Sequence, residues 1–263
     1  MRFFLELSYN GGAFHGWQSQ PNAVSVQSVL EEALSKILGK ETPIVGAGRT
    51  DTGVHARQMF AHFDVENEII DTSRFLVSLN SLVGRNIAVS NLYQVDKDAH
   101  ARFDATERTY KYFVTHRKSP FFKDYSLFSS AFLDLDKMNK ASEILLDTKD
   151  FTSFAKLHSD AKTNICDVRK ASWKKLEDDH EGKSFLGQLD DGIVFTITAD
   201  RFLRNMVRAI VGTLVDVGRG KLSISQFMEI IQKKNRCSAG TSMPPQALFL
   251  WEIKYPFFPK SKA

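Results

Sequence analysis

Asp51 stands two residues after Arg49 and four before His55 in the run GAGRTDTGVHA, residues 46–56. Glycines at 46, 48 and 53 open backbone conformations closed to other residues and allow a ligand to come close. A carboxylate carried on such a scaffold, beside a cation that keeps it ionised, is equipped to act as a nucleophile. The plain alternative is a solvated loop whose Asp51 caps a turn. Asp51-Thr52-Gly53 also spells the tripeptide of aspartic proteases, which share a proton between two carboxylates and so need a second such loop behind an apolar strand. Here Gly48-Arg49-Thr50 precedes Asp51, the other candidate, Asp191-Gly192, lies in a polar hairpin, and Arg49 would hold a neighbouring carboxylate charged. These features argue against a protease.

Two further groups of residues have chemical potential. Arg201, Arg204 and Arg208 recur at spacings of three and four within residues 200–217, where Phe202, Leu203, Met206, Val207, Ile210, Val211 and Leu214 are apolar. That periodicity predicts one long helix. Cations on a buried helix are costly unless paired. Either the stripe is a solvated edge, or Arg208, deepest in the helix, meets a carboxylate such as Asp51 while the others meet phosphates. Residues 99–112, AHARFDATERTYKY, interleave bases and aromatics in a way that suits RNA, where rings stack on unpaired bases and cations neutralise phosphates. Tyr110 in that run is equally read as a core side chain of a strand. Arg102, Arg201, Arg204 and His55 complete the candidate RNA contacts. Basic clusters at Lys156, Lys162, Arg169, Lys170, Lys174 and Lys175, and at Lys233, Lys234 and Arg236, fit a surface that tracks a phosphate backbone. His55 and His62 have no third ligand at suitable spacing, so structural histidines are expected and no metal.

These side chains need elements to position them. An apolar run at 43–45 enters the Asp51 loop, and 57–65 leaves it with Met59, Ala61, Phe63 and Val65 alternating against Phe60, His62 and Asp64. Both read as strands. Residues 2–9 predict a first strand, broken by Asn10-Gly11-Gly12, and 14–20 (FHGWQSQ) a loop with exposed aromatic and amide side chains. Residues 25–38 are the clearest helix, capped by Ser25 and ended by Gly39. A second helix at 71–83 presents Phe75, Leu76, Leu79 and Leu82 and stops at Gly84, and 87–95 is a strand. Strand, helix, strand, strand, helix, strand is the ferredoxin-like plan.

The second half runs through the same plan with insertions. A strand at 107–116 sets Tyr110, Tyr112 and Val114 opposite Lys111 and Phe113, and an aromatic-rich loop leads to a helix at 136–146. An irregular segment at 151–156, a strand at 165–176, a polar turn at 177–182 and a hairpin of 185–189 with 193–198 about Asp190-Asp191-Gly192 follow. After the arginine-bearing helix come a helix at 223–233, with Ser223 and Gln226 as a capping box, and a strand at 247–255. The fold expected is α/β of the α+β kind: two ferredoxin- or RRM-like halves, residues 1–105 and 106–256, their mainly antiparallel sheets joined across a central RNA-binding cleft, with a tail at 257–263.

A chain of 263 residues, 43% hydrophobic and 25% charged, has the composition of an ordinary globular protein with a real core. Its formal charge of +4 permits a polyanionic partner. Cys166 and Cys237 stand far apart with no CxxC spacing, so neither a zinc site nor a disulfide framework is expected. Residues 1–9 are too short and too charged for a signal peptide, and no run approaches a membrane span. The expected location is the cytoplasm.

GRTDTGVHA at 48–56 resembles the catalytic signature of the tRNA pseudouridine synthase A family. YNGGAFHGWQSQ at 9–20, HARFDATERTYKY at 100–112, DFTSF at 150–154 and NMVRAIVG at 205–212 resemble further blocks of that family in its order. The departures are Asn10 where an Asp is usual, Thr52 where an Ala is usual and Ala99 where a Phe is common. The resemblance implies a pseudouridine synthase fold and a cofactor-free homodimer that isomerises uridine to pseudouridine at positions 38, 39 and 40 in the anticodon stem-loop of tRNA. It implies Asp51 as the catalytic aspartate, Arg49 as the loop arginine that displaces the target base, Tyr110 as the tyrosine stacking on it and Arg208 as the basic partner of the aspartate. The competing reading is a non-catalytic module that binds or folds tRNA; an aspartate beside Arg49 has no evident purpose there, since a carboxylate repels phosphate.

Overall fold

The computed structural model describes residues 1–66, 69–157, 162–186 and 191–258. The chain divides into two units, one of Met1–Glu107 with the residues from Leu250 on, the other of Arg108–Phe249. The strand expected at 247–255 thus gives most of its length to the first unit.

The first unit runs β1 (Arg2–Tyr9), α1 (Val26–Leu38), β2 (Val45–Gly46), β3 (His55–Asp64), α2 (Thr72–Leu82) and β4 (Ile87–Val95). β1 lies between β4 and β3, antiparallel to both, and β2 pairs with β3. That order, 4-1-3-2, is the ferredoxin-like arrangement. The strand β9 (Leu248–Lys254) also lies beside β3. Ser25 caps α1 and forms a capping box with Ser28, and Gly39 ends the helix at φ +69°, a conformation only glycine adopts cheaply. Asp71 caps α2 through the Arg74 amide.

The alternation along β3 does not separate inside from outside, because Met59 through Phe63 are all buried. Phe63 packs against Phe3 and against Phe75 of α2. On the other face Phe60 meets Tyr255 and Phe258, and Phe4 meets Tyr255 and Phe257. Both faces are therefore covered, one by helices and one by aromatic rings. Phe14 and Trp17 of the 14–20 loop, expected at the surface, are buried, while His15, Gln18, Ser19 and Gln20 are exposed. In α2, Leu82 is exposed while Phe75 and Leu79 carry the packing.

The second unit contains β5 (Glu107–Thr115), β6 (Leu127–Phe128), α3 (Leu135–Asp147), β7 (Val168–Lys175), α4 (His180–Phe185), β8 (Gly192–Ala199), α5 (Met206–Gly218) and α6 (Ile224–Lys233). β8 pairs antiparallel with β5 and β7, and β6 adds a short parallel pairing to β5. The polar turn and the strand expected at 185–189 give way to α4, which Phe185 ends; residues 187–190 of that hairpin lie outside the described residues. α4 forms because Asp179 caps it through the Gly182 amide while its carboxylate grips Lys111 of β5 at 2.6 Å. Lys111, expected simply to alternate along a strand, is 3% exposed and has Glu181 as a second partner at 3.1 Å. The helix expected from residue 200 begins at Met206. Asn205, at φ +65°, cannot continue a right-handed helix, so Arg201 and Arg204 lie in the segment before α5 and only Arg208 is on it. α5 is apolar nearly all round and buried nearly all round, as such a helix must be. Among the described residues no helix is long and apolar enough to cross a membrane.

Candidate active site

The Asp51 loop is braced from below by the loop after β1. The Asn10 side-chain oxygen accepts the Gly12 amide and starts the 3-10 turn Gly11–Ala13, a task an aspartate carboxylate performs equally well. Gly11 donates its amide to Nδ1 of His55 at 3.1 Å. The Tyr9 and Thr50 hydroxyls meet at 2.8 Å in a buried contact, and the Trp17 amide donates to the Thr50 carbonyl at 3.2 Å. The two loops come so close that a Cβ on Gly11 would lie 2.0 Å from the Val54 carbonyl oxygen, and one on Gly16 would lie 2.6 Å from that of Thr50. Gly16 and Gly53 also hold positive φ, +89° and +80°. Inside the loop the Val54 amide donates to the Asp51 carbonyl at 3.1 Å, closing a turn that leaves Asp51 half-buried and Arg49 and Thr52 exposed.

His55, expected among RNA contacts, is only 2% exposed. Because its Nδ1 accepts a hydrogen bond, the ring is neutral with its proton on Nε2, and its position is that of a brace. His62 plays a similar part at the other end of β3, accepting the Ala101 amide at 3.1 Å. Burial, assisted by the charges of Arg2 and His100, pushes His62 down to about 4. His100 in turn accepts the amides of Arg102 and Phe103 on Nδ1, and its own amide donates to Asp104. The segment carrying Arg102 is thereby shaped by two imidazole acceptors, with the Arg102 guanidinium 5.7 Å above the Phe103 ring. Among the described residues no three His, Cys, Asp or Glu side chains converge as a metal site would require.

In the second unit, Tyr110 of β5 is half-buried, its ring at right angles to Phe202 with centroids 5.0 Å apart. Arg208, also half-buried, donates from Nε to the Met243 carbonyl at 2.6 Å, and the Met243 amide returns a bond to the Arg208 carbonyl. Burial pushes the Tyr112 hydroxyl up, with the charge of Arg208 pulling the other way. That hydroxyl donates to the Pro244 carbonyl, so Tyr112 and Arg208 share the same short segment of main chain. The segment 236–244 is stitched to α5 further along, where Asn205 and Arg236 both bond Ser242 and Gly240 donates to Thr213. Arg201 and Arg204 precede the helix: the Arg201 amide donates to Asp200, and the Arg204 carbonyl accepts the Lys156 amide. Several of the basic-cluster residues have acidic neighbours, among them Arg169 with Asp167, Lys175 with Glu177 and Lys234 with Asp150.

The first unit presents a half-exposed carboxylate on a glycine loop anchored by a buried floor, and the second presents an aromatic ring and an arginine. The chain belongs to the tRNA pseudouridine synthase family, whose sequence pattern matches residues 7–104 and 141–256. It is 52% identical over 255 residues to the tRNA pseudouridine synthase A of Bacteroides fragilis, covering 97% of this chain and 96% of that one. With the protein of the same name from Porphyromonas gingivalis it shares 48% over 256 residues, 97% of each chain, and with that of Finegoldia magna 37% over 253 residues, 95% of this chain and 98% of the other.

Proposed function

We propose that this protein isomerises uridine to pseudouridine at positions 38, 39 and 40 in the anticodon arm of tRNA, as a cytoplasmic homodimer, with Asp51 as the catalytic carboxylate. The observation that carries the reading is the braced loop: Asp51 stands half-exposed on a turn whose neighbours Thr50 and His55 are held in the interior. The reaction breaks the N1 glycosidic bond, turns the uracil and joins its carbon 5 to the sugar; the proton on carbon 5 leaves and N1 gains one. No oxidation state changes and no water is consumed, so the task set for the protein is positioning, charge and a nucleophile or base. A carboxylate divides the exchange into easier steps. Taking the uridine out of its stack costs a few kcal/mol, and stacking on Tyr110 returns roughly 1–3 kcal/mol. Arg49, exposed on the same loop as Asp51, is suited to occupy the space the base leaves. Arg208 is assigned as the cation that steadies the Asp51 carboxylate, and Arg102, Arg201 and Arg204 as contacts to the RNA backbone.

Tritium release from tRNA labelled at carbon 5 of uridine tests the assignment. Asp51→Asn is expected to abolish release while leaving tRNA affinity within a few-fold of wild type; wild-type turnover in that variant would remove Asp51 from its role. Arg208→Ala is expected to lower kcat far more than affinity, and a defect confined to binding and cured by low salt would count against the pairing.

A further inference from the structure

Thr50 is the residue immediately before the carboxylate, and it is anchored to Tyr9, the last residue of β1, and to Trp17 in the loop that follows. Its hydroxyl meets the Tyr9 hydroxyl at 2.8 Å, its carbonyl accepts the Trp17 amide, and the same carbonyl leaves no room for a side chain on Gly16. Tyr9 is 5% exposed and Thr50 8%, so this pair of hydroxyls exchanges little with water. Tyr9 reaches Thr50 because the register of β1 against β3 slips between Leu7 and Tyr9: Leu7 faces Met59 and Tyr9 faces Ala56, two residues against three. Such irregularities re-aim a side chain where pairing ends. The Tyr9 ring itself packs beside Trp17 at 6.2 Å, which fixes its direction independently of the hydroxyl.

We propose that the Tyr9–Thr50 hydroxyl pair is a positioning device for the known reaction: it pins the peptide before Asp51 and so sets the direction in which the carboxylate is presented, without touching RNA. The inference rests on Asp51 as the catalytic group. A hydrogen bond between two neutral hydroxyls contributes little to global stability, whereas misplacement of a reacting group by a fraction of an ångström is felt strongly in the rate. The pair therefore acts on kcat and not on KM.

The test compares Tyr9→Phe, Thr50→Val, Thr50→Ser and the double variant Tyr9→Phe/Thr50→Val, with Asp51→Asn alongside, in the full-length protein. Tyr9→Phe and Thr50→Val are each expected to reduce kcat for tritium release at least tenfold, with KM for tRNA within twofold and Tm within a few degrees of wild type. Thr50→Ser, which keeps the hydroxyl, is expected to retain most of kcat, and the double variant to be no worse than either single one. A kcat within twofold of wild type in Tyr9→Phe, a loss expressed in KM, or a loss matched by collapse of Tm overturns the proposal. Amide hydrogen exchange of residues 48–54 gives a reading that does not depend on turnover: Tyr9→Phe is expected to speed exchange there and not in α1, and unchanged exchange rejects the pin. If Asp51→Asn retains wild-type turnover while the loop loosens in Tyr9→Phe, the catalytic assignment has failed and the pin has not.

Discussion

Gly11, Gly16 and Gly39 separate two reasons for a glycine. Gly39 ends α1 at φ +69° with nothing near the position of a Cβ, so Gly39→Ala is expected to cost about 1 kcal/mol of backbone strain and no activity. Gly11→Ala pushes a methyl group to 2.0 Å from the Val54 carbonyl and forces the two loops apart. Urea denaturation is expected to show about 2–3 kcal/mol of lost stability, accompanied by a fall in kcat. His62 supplies a pH dependence. Its ring is neutral in the folded protein, with a value near 4 against about 6.5 when unfolded. Its contribution is therefore complete above pH 6.5 and is lost as pH falls from 6.5 towards 4, to the extent of at most about 3 kcal/mol. His62→Gln, which keeps an acceptor for the Ala101 amide, is expected to flatten the stability profile across that window. An unchanged profile would assign the slope to other groups.

At the scale of elements, what periodicity and caps can express was legible and what distant pairing creates was not. α1, α2, α3 and α6 lie within a residue or two of the helices their apolar spacing and caps predict, β3 follows from the alternation read at 57–65, and the apolar run at 43–45 shares only Val45 with β2. The start of α5 was misplaced because residues 202, 203, 206 and 207 keep helical spacing across a break that only the left-handed backbone of Asn205 reveals. α4 was missed because a six-residue helix has too little periodicity to register, and it depends on Lys111, 68 residues before Asp179. The candidate site divides in the same way: the types and spacing of Arg49 and Asp51 are visible in the chain, whereas the bond between Tyr9 and Thr50, 41 residues apart, has no local signal. Burial pulls the Asp179 carboxyl up, and Lys111, the Gly182 amide and the charge of Lys174 together outweigh it, leaving it below the usual range. Lys111→Met strands that carboxylate, with an expected loss of about 3 kcal/mol by thermal denaturation. Lys111→Met/Asp179→Asn, which retains the cap of α4, is expected to recover most of it.

At the scale of the molecule, a formal charge of +4 is modest, and local carboxylates answer several of the lysines. Attraction for tRNA must then come from placement of arginines more than from net charge. Raising salt from 50 to 200 mM is expected to increase KM for tRNA roughly tenfold or more if two or more phosphates are engaged, with kcat at saturating tRNA little changed. A KM indifferent to salt would remove phosphate contacts from the account.

The return of the chain to its first unit has a consequence for how the protein is made. Ile253 donates its amide to Gln58, Arg57 lies over Trp251 at 4.9 Å, and the Tyr255 hydroxyl bonds the Ala101 carbonyl. A ribosome therefore emits residues 1–107 long before the partners that finish their sheet exist. A message broken between codons 107 and 248 yields a polypeptide with an open flank along β3 and bare rings on Phe4 and Phe60, a sticky product with its aspartate loop already spelled out. The unit that carries the Asp51 loop is finished only once the residues from Leu250 on have joined it.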